Sequence, residues 1–326
     1  MPGHYFAAAP VAALYRRFAE EARSSPTWQG VSSWIAETDP VLELLDTLPG
    51  MKRQPNLFLA ALRYFEAPLQ PGPDLSGWIA EHWTPVRELI LQRETQTNEA
   101  GRCAVLAPVL AALPGPLALI EVGSSAGLCL LPDRYGYRWS DRAGRTVAEL
   151  PGEPVLECVV SGSGPAYARP EVAWRLGVDR NPLDPADPAD ARWLESLVWP
   201  DQDERQRRLH AALAIAAAQP PPRIRGEALE MLPTAVAQVP AGLTPVVLHS
   251  FTAMYLPRED RDRLCDLIES LPVHWVSLEG ERAIGRIADR VPADGWSGPP
   301  GTLLALDGHP LARAGWHGER VHWLAP

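Results

Sequence analysis

The chain has 326 residues, 46% hydrophobic and 21% charged, a composition typical of a folded protein with room for an α/β domain and an additional helical segment. Its formal net charge of −10 disfavours a general binder of phosphate backbones, so no nucleic-acid partner is expected. Lys52 is its one lysine and stands outside any glycine-rich phosphate-loop pattern, which excludes a P-loop lysine.

The first third of the chain carries helical patterns and almost no strand signal. Apolar side chains recur there at helical spacing. Helix starts are expected at Asp39-Pro40, Asn56 and Asp74. The sequence therefore predicts an all-helical N-terminal domain over residues 1–115 and a second domain over residues 116–326.

The stretch Leu117–Gly127 is the most informative part of the chain. It is an apolar run followed by a turn of small residues, which predicts a buried parallel strand whose backbone N–H groups lie close to a ligand. A helix beginning at this turn would point its positive end at the ligand. The stretch thus predicts the strand–turn–helix of a Rossmann-like nucleotide-binding domain. The expected ligand contacts are Glu121, Gly123, Ser124, Ser125 and Gly127.

The same turn also matches G-x-S-x-G, the nucleophile elbow of α/β hydrolases, with Ser125 as the nucleophile. Such an elbow follows several strands, one of which leads to the oxyanion hole, and the sequence indicates none before Leu117. The pattern therefore favours Ser125 as a small residue in a ligand-binding turn. A serine hydrolase stays open as an alternative.

A second strand ending in an acid is expected over Val172–Asp179. It follows a stretch over residues 135–167, rich in Gly, Arg and β-formers, which predicts an inserted hairpin. At the carboxyl end of a neighbouring parallel strand, the Asp179 carboxylate could accept both hydroxyls of a ribose. The alternative is a turn aspartate before a proline-rich loop.

The remaining pattern alternates strands and helices. One helix is expected over residues 191–218, and Gly226-Glu227 marks a strand edge with an acid before another helix. Later strands are expected over Thr244–Phe251 and Val273–Glu279. The end of the chain predicts a closing antiparallel pair made of Thr302–Asp307 and Arg320–Leu324.

These acid-ended elements resemble the Rossmann-like class I S-adenosylmethionine-dependent methyltransferases, from about Leu117 to Pro326. The resemblance implies an α/β fold whose sheet ends in an antiparallel hairpin, with S-adenosylmethionine as cofactor. It further implies that the glycine turn backs the amino-acid and ribose part of that cofactor. By the same resemblance, Asp179 takes the ribose hydroxyls and Glu227 reaches the adenine amino group.

The chain is also similar to an uncharacterised bacterial family, through several short blocks. These are Gln96-Thr97-Asn98-Glu99…Arg102, Glu121-Val122-Gly123…Gly127-Leu128, Asp179…Asn181-Pro182, Trp199-Pro200 and His249-Ser250. Two departures from the methyltransferase pattern stand out: Ser125 replaces the middle glycine of the turn, and His249-Ser250 replaces the Asn/Asp-Pro-Pro-Tyr/Phe motif of many nitrogen-methylating members. The second departure disfavours methylation of a planar nitrogen.

Four residues in these blocks are candidates for catalysis or for binding the acceptor: Asn98, Arg102, His249 and Ser250. His249, at the end of its strand, is the best-placed general base, with a core histidine as the alternative. The segment Gln96–Arg102 is expected to form a lid or floor in which Asn98 and Arg102 contact cofactor or acceptor, and Ser250 is expected beside them. The alternative for this segment is a capping box with a surface Arg–Glu pair.

The sequence thus predicts a methyltransferase that acts on a small molecule. Its alternatives are a non-catalytic nucleoside binder, an NAD-type oxidoreductase and the serine hydrolase. The four cysteines form no C-x-x-C, which predicts buried thiols of a reducing cytoplasm and no metal site. No signal-peptide pattern and no apolar run near about 18 residues are found, so a cytoplasmic protein without a membrane partner is expected. The sequence does not predict an oligomeric state.

Overall fold

The computed structural model describes residues 9–96, 98–292, 298–299 and 301–325. The chain divides into two compact units, Met1–Thr97 with Pro188–Arg207, and Asn98–Asp187 with Arg208–Pro326. Residues 98–115 thus cluster with the second unit. Because a cluster of contacts is not the same as an independently folding domain, the boundary at residues 115/116 stays a prediction.

Helices account for all the regular structure of the first unit within the described residues. The α-helices of the described residues are Val11–Glu21 (α1), Pro26–Ile35 (α2), Asp39–Asp46 (α3), Pro55–Tyr64 (α4), Pro73–Gln92 (α5), Cys103–Ala111 (α6), Pro188–Leu197 (α7), Asp203–Ala218 (α8), Ala228–Ala237 (α9), Arg258–Glu269 (α10) and Gly285–Ala288 (α11). A proline in the first turn begins each helix from α2 to α5, where its missing N–H has no intrahelical partner to lose.

Two helix predictions need correction. Helix α2 was not anticipated, although Ser25 caps it by accepting a hydrogen bond from Trp28 N–H. The single helix expected over residues 191–218 is two helices, α7 and α8, separated at Trp199-Pro200-Asp201. Pro200 disfavours helical backbone in the residue before it, and Asp201 adopts a positive φ of 66°, so the chain cannot continue as one helix.

The second unit is built on a mixed sheet of eleven strands among the described residues. They are Leu117–Val122 (β1), Gly136–Ser140 (β2), Thr146–Leu150 (β3), Val155–Ser161 (β4), Val172–Asp179 (β5), Arg223–Arg225 (β6), Thr244–Ser250 (β7), His274–Gly280 (β8), Thr302–Leu306 (β9), His309–Ala314 (β10) and Arg320–Trp323 (β11). Their order is β3-β2-β4-β11-β10-β9-β8-β7-β1-β5-β6. The expectation of an α/β fold with N-terminal helices is confirmed.

Five adjacent strands at one end of the sheet, β6-β5-β1-β7-β8, run parallel to one another. From β1 the chain builds outward on one side through β5 and β6, then returns to build β7 and β8 on the other side. The strand order therefore reverses between β1 and β7. Open α/β sheets bind ligands at such a reversal, outside the carboxyl ends of the strands.

Strand β1 is buried at every position, which places the start of the glycine turn inside the protein. On one face of the sheet, Ile120, Val247 and Trp275 belong to a core that also contains Leu232 of α9 and Ile268 of α10. Burying large apolar side chains of this kind contributes roughly 1.5–3 kcal/mol each. This core holds the carboxyl ends of the central strands at fixed positions.

The inserted segment after the glycine turn extends the sheet. Strands β2 and β3 form an antiparallel hairpin, and β4 pairs in parallel with both β2 and β11. The hairpin was expected from the β-formers of β2 and β4, but these two strands are parallel and β3 was not predicted. The insertion therefore accounts for the long separation between Glu121 and Asp179. It adds three strands to the far edge of the sheet.

Two local predictions in this unit are wrong. A 3-10 turn, Leu128–Leu130, follows the glycine turn where a helix was expected, and Pro132 prevents its continuation. Strands β9 and β11 do not pair with each other, since β10 lies between them. The two-residue hairpin loop is Asp307-Gly308, with φ of 48° and 75°, an Asp-Gly signal for a tight turn that was overlooked.

All four cysteines are buried, and none of them forms a disulfide. None of the helices in the described ranges combines the length and apolar character needed to cross a membrane.

Candidate functional site

The glycine turn is tied to the end of β5 by backbone and carboxylate contacts. Gly123 N–H donates to Val178 O (2.8 Å) and Ser125 N–H donates to Asp179 Oδ2 (2.7 Å). The second carboxylate oxygen, Oδ1, accepts from Asn181 N–H (2.7 Å). The Asp179 carboxylate therefore joins the turn after β1 to the loop after β5. It is not the exposed turn aspartate that was the alternative prediction.

The two glycines of the turn make room for protein side chains. Gly123 has a φ of +75°, and a Cβ added there would overlap the Thr252 hydroxyl, which itself donates to Val122 O (2.9 Å). Gly127 has a φ of +78°, and its added Cβ would lie 3.2 Å from the Pro221 ring. Thr252 and Pro221 therefore occupy the space beside the two glycine Cα atoms, and the expected contact of these glycines with a ligand stays a prediction.

Ser124 and Ser125 are both buried, and neither hydroxyl has a hydrogen-bond partner among the described residues. Ser125 also has a positive φ of 49°, a conformation that costs a non-glycine residue about 1–2 kcal/mol. A strained serine is a feature of nucleophile elbows, but the following helix and a histidine bonded to the hydroxyl are both missing from the described part of the chain. The geometry therefore disfavours the hydrolase.

Glu121 is 4% exposed, and its Oε2 has no hydrogen-bond partner among the described residues. Burial, helped by the nearby Cys129 and Asp179, raises the pKa of this carboxyl well above its ordinary value, while Arg102 acts in the opposite direction. A carboxyl oxygen buried without a partner carries a desolvation cost of roughly 1–3 kcal/mol. Glu121 is thus equipped to accept a hydrogen bond from a ligand.

Arg102 is 2% exposed, and no carboxylate of the described residues lies within ion-pair distance of it. Its Nη1 donates to Ser250 Oγ (3.2 Å), its Nε donates to Trp316 O (3.4 Å), and its Cζ lies 4.0 Å from the centre of the Phe251 ring. Burial lowers the pKa of this guanidinium. Arg102 and Ser250, which the sequence placed in one site, do contact each other.

Asn98, in the segment Gln96–Arg102, supports the glycine turn. Asn98 Nδ2 donates to Ser124 O (3.4 Å), and its Oδ1 accepts from Leu128 N–H (3.3 Å). Glu99 accepts from Gly101 N–H (3.0 Å) and pairs with Arg208 (2.8 Å). The alternative of a surface Arg–Glu pair is wrong, because Arg102 is buried and Glu99 pairs elsewhere. Thr97 lies outside the described residues.

His249 is fully buried, and both of its ring nitrogens are occupied. Trp275 Nε1–H donates to Nε2 (2.9 Å), and Nδ1 lies 2.7 Å from Glu279 Oε1. Because the indole is only a donor, Nε2 must be the unprotonated nitrogen and Nδ1 must carry the proton. His249 has no nitrogen left for a substrate, so its surroundings do not support the predicted role as a general base.

Glu279 and Thr252 were missed by sequence reasoning. Glu279 Oε1 accepts from Thr252 N–H (2.8 Å) and Ala253 N–H (3.0 Å) in addition to His249, so it fixes the loop after β7. Its Oε2 is buried without a partner among the described residues. Glu279 lies at the end of an apolar strand, as Glu121 and Asp179 do. An acid at the end of an apolar strand is therefore the sequence pattern that could have identified Glu279.

Glu227 stands at the end of β6, where the methyltransferase resemblance implied it. Its side chain is 56% exposed and lies 3.4 Å from Arg180 Nε. Its adenine-binding role therefore remains a prediction. A separate cavity of about 70 Å³, lined by Ser161, Glu281 and His322, shares no residue with the glycine turn.

The fold and the site together define an α/β protein with N-terminal helices, a mixed sheet and a buried polar cluster at the carboxyl ends of its central strands. The chain belongs to the bacterial family described as "Uncharacterized protein conserved in bacteria (DUF2332)", whose model matches residues 12–323. The expectation of an uncharacterised bacterial family is thereby confirmed. No curated protein matches the sequence.

A solved structure, that of the mitomycin 7-O-methyltransferase MmcR, is similar to this chain at a TM-score of 0.28 and 13% sequence identity. The likeness covers 74% of this chain and 54% of that one, so this chain spans about half the length of the methyltransferase it matches. A TM-score this low does not establish a shared architecture. The strand order and the buried cluster are therefore the stronger indications of function.

Gly123→Ala is expected to lower the free energy of unfolding by more than Gly144→Ala does. Both glycines have a positive φ, +75° and +78°, so an added Cβ costs about 1–2 kcal/mol in either place. Only at Gly123 would it also overlap a side chain, because nothing lies within 4 Å at Gly144. Urea unfolding measures both losses, and equal losses would contradict the close packing of Thr252 on the turn.

Glu121→Gln is expected to flatten the pH dependence of stability. Because burial raises the folded pKa of Glu121, the folded chain holds this proton more tightly than the unfolded chain. The stabilisation that this proton gives the folded protein is therefore complete below the ordinary carboxyl pKa. It is lost as the pH rises through the raised pKa of the folded protein. Urea midpoints measured from about pH 4 to pH 8 test this. The exposed Glu230→Gln is the control, and an unchanged slope in Glu121→Gln would refute the assignment.

Proposed function

We propose that the second unit binds S-adenosylmethionine at the carboxyl ends of β1, β5 and β7 and transfers its methyl group to a small molecule. The location is supported by the reversal of strand order between β1 and β7. The antiparallel β9 beside β8 also agrees with the antiparallel ending of the methyltransferases that the sequence resembles.

The observation that carries this proposal is the group of buried oxygens without partners at the end of β1. They are Glu121 Oε2, Ser124 Oγ and Ser125 Oγ. Buried polar atoms are rarely left without hydrogen bonds, and each such atom costs about 1–3 kcal/mol. A ligand rich in donors, with an ammonium group and ribose hydroxyls, would satisfy them.

Asp179 supports the ribose part of the proposal. Each of its carboxylate oxygens accepts one backbone N–H, and each has a second lone pair. The group is half-buried, so those lone pairs are within reach of a ligand at the strand ends. We assign cofactor contacts to Asp179, Glu121 and the two serines, and assign Gly123 and Gly127 to packing.

The charge of the site argues against a dinucleotide. In the Rossmann dinucleotide fold, the pyrophosphate lies at the N-terminus of the helix that follows the glycine turn. Here a three-residue 3-10 turn takes that place. The Asp179 carboxylate would repel a pyrophosphate and attract a sulfonium cation, so S-adenosylmethionine is favoured over NAD.

When bound, S-adenosylmethionine would supply an electrophilic methyl group on a cationic sulfur. The protein's part is to align the acceptor and exclude water, which can contribute about 7–11 kcal/mol. Asp179 and Asn98 hold the turn against which the ligand would lie. No proton transfer is assigned to His249, because its two nitrogens bond Trp275 and Glu279.

S-adenosylhomocysteine is expected to raise the melting temperature, because a ligand at about 100 times its Kd adds roughly 2.7 kcal/mol of stability. Asp179→Asn should weaken its binding by about 1.5–3 kcal/mol, since a charged acceptor of the ribose hydroxyls is lost. Ser125→Ala is the comparison variant and should cost less, about 0.5–1.5 kcal/mol, because it removes one neutral hydrogen bond to the ligand and leaves the carboxylate in place. Calorimetric titration measures the affinity for S-adenosylhomocysteine in the wild type, in Asp179→Asn and in Ser125→Ala.

Two results would count against the proposal. One is a melting temperature unchanged by millimolar S-adenosylhomocysteine while NAD raises it. The other is a Ser125→Ala variant that binds S-adenosylhomocysteine normally but loses a hydrolytic activity that the wild type shows, which would restore the hydrolase.

A non-catalytic binder of the same cofactor is the second candidate, and the burial of His249 favours it. With both imidazole nitrogens engaged, the best-placed base of the sequence cannot deprotonate an acceptor. The non-catalytic binder would be supported if the protein binds S-adenosylhomocysteine but transfers no methyl group from S-adenosylmethionine to any of a broad panel of small acceptors.

A further inference from the structure

Arg102 is the most unusual charged group of the second unit. Its guanidinium is buried without a carboxylate partner among the described residues, although burying an ion without compensation costs several kcal/mol. The largest electrostatic effect on Arg102 comes from the buried Cys129, and the two carboxyl groups that also act on it make other contacts: Glu99 pairs with Arg208, and Glu279 Oε1 accepts from His249 and two amides. The charge of Arg102 is therefore available to an anion.

The contacts that Arg102 does make hold it in a fixed orientation without neutralising it. Ser250 Oγ and Trp316 O each accept one hydrogen bond, and the ring of Phe251 lies 4.0 Å from its Cζ. Neutral acceptors and an aromatic face recover only part of the lost hydration. Such a preoriented guanidinium suits the bidentate binding of a carboxylate.

Aromatic side chains surround this guanidinium and continue to the surface. Phe251 has a positive φ of 56°, a strained conformation for a bulky residue, and its ring centre is 5.4 Å from that of Trp316. Trp316 is 39% exposed and Tyr255, which acts electrostatically on Arg102, is 53% exposed. Strained backbone and exposed aromatic side chains at one place are features of binding sites.

This group lies at the same sheet edge as the proposed cofactor site. Ser250 is the last residue of β7, the parallel neighbour of β1, and Phe251 follows it directly. A methyl acceptor bound there would reach the end of β1, where the buried oxygens lie. The position therefore suits an acceptor subsite beside the cofactor.

We propose that the methyl acceptor is a planar aromatic carboxylic acid, with its carboxylate on Arg102 and its ring against Trp316 and Tyr255. One carboxylate oxygen would form the new bond to the methyl carbon as the bond from sulfur to that carbon breaks, so the products would be a methyl ester and S-adenosylhomocysteine. This rests on the proposed methyltransferase function and adds the acceptor's chemical class. The cofactor is the other source of a carboxylate, through its amino-acid end, so the test must tell the two sources apart.

The first measurement uses wild-type protein and three probes in calorimetric titration: naphthoate, its neutral amide naphthamide, and the saturated decalin carboxylate. Naphthoate is expected to bind about tenfold more tightly than naphthamide, because only the anion pairs with Arg102. It is expected to bind about tenfold more tightly than the decalin carboxylate, because only a flat ring stacks on the aromatic side chains. Equal affinity for naphthoate and naphthamide, or no binding of naphthoate, would overturn the proposal.

Variants then locate the site. Trp316→Ala and Tyr255→Ala change exposed side chains and are expected to weaken naphthoate binding severalfold, while Val147→Ala, an equally exposed residue of the inserted hairpin, should leave it unchanged. Arg102→Gln should abolish the preference for naphthoate over naphthamide. Unchanged binding in both aromatic variants would overturn the proposal even if Arg102→Gln failed to fold.

The source of the carboxylate is decided by comparing S-adenosylhomocysteine with methylthioadenosine, which lacks the amino-acid end. If Arg102→Gln keeps the wild-type ratio of these two affinities, Arg102 serves the acceptor and the proposal stands. If the preference for S-adenosylhomocysteine disappears, Arg102 binds the cofactor and the proposal falls. Charge-selective naphthoate binding without any S-adenosylhomocysteine binding would support this subsite while rejecting the methyltransferase function.

Discussion

The carboxylate of Asp179 is the contact on which the site depends. One oxygen accepts from the turn after β1, and the other accepts from the loop after β5. The next strand is connected as well, because Gly226 N–H donates to the backbone carbonyl of Asp179 (2.9 Å). A single residue therefore links three strand ends on one side of the strand reversal. This link holds the backbone of Ser125 at the end of β5.

The fold was predictable from the sequence where local signals agree with the final structure. The apolar run before Glu121 and the acid-ended strand before Asp179 are local patterns, and both strands form side by side in parallel. The wrong predictions concern places where the local sequence allows two structures, such as a helix or a 3-10 turn. The helix expected after Gly127 is a 3-10 turn, because Pro132 cuts it short. The Asp307-Gly308 hairpin was overlooked, and with it β10.

The site was harder to predict because its contacts join residues far apart in the chain. Arg102 and Ser250 are 148 positions apart, and no spacing rule brings a helix-start arginine to the end of a distant strand. A surface pair with Glu99, three residues away, was the natural local expectation. The structure instead gives Glu99 to Arg208. Burial, which decides the chemistry of Arg102, is a property of the packed protein and not of the segment.

The alternation of side chains along β7 places His249 and Ser250 on opposite faces of the sheet. Successive residues of a strand point to opposite faces, so His249 and Ser250 cannot share a pocket although they are adjacent. Ser250 faces Arg102, whereas His249 faces Trp275 and Glu279. An acceptor bound at Arg102 therefore meets a cation and the Ser250 hydroxyl rather than the His249 imidazole. A carboxylate that arrives ionised has no proton to lose, so methylation of one of its oxygens needs no base. An acidic acceptor and a buried histidine are therefore consistent with each other.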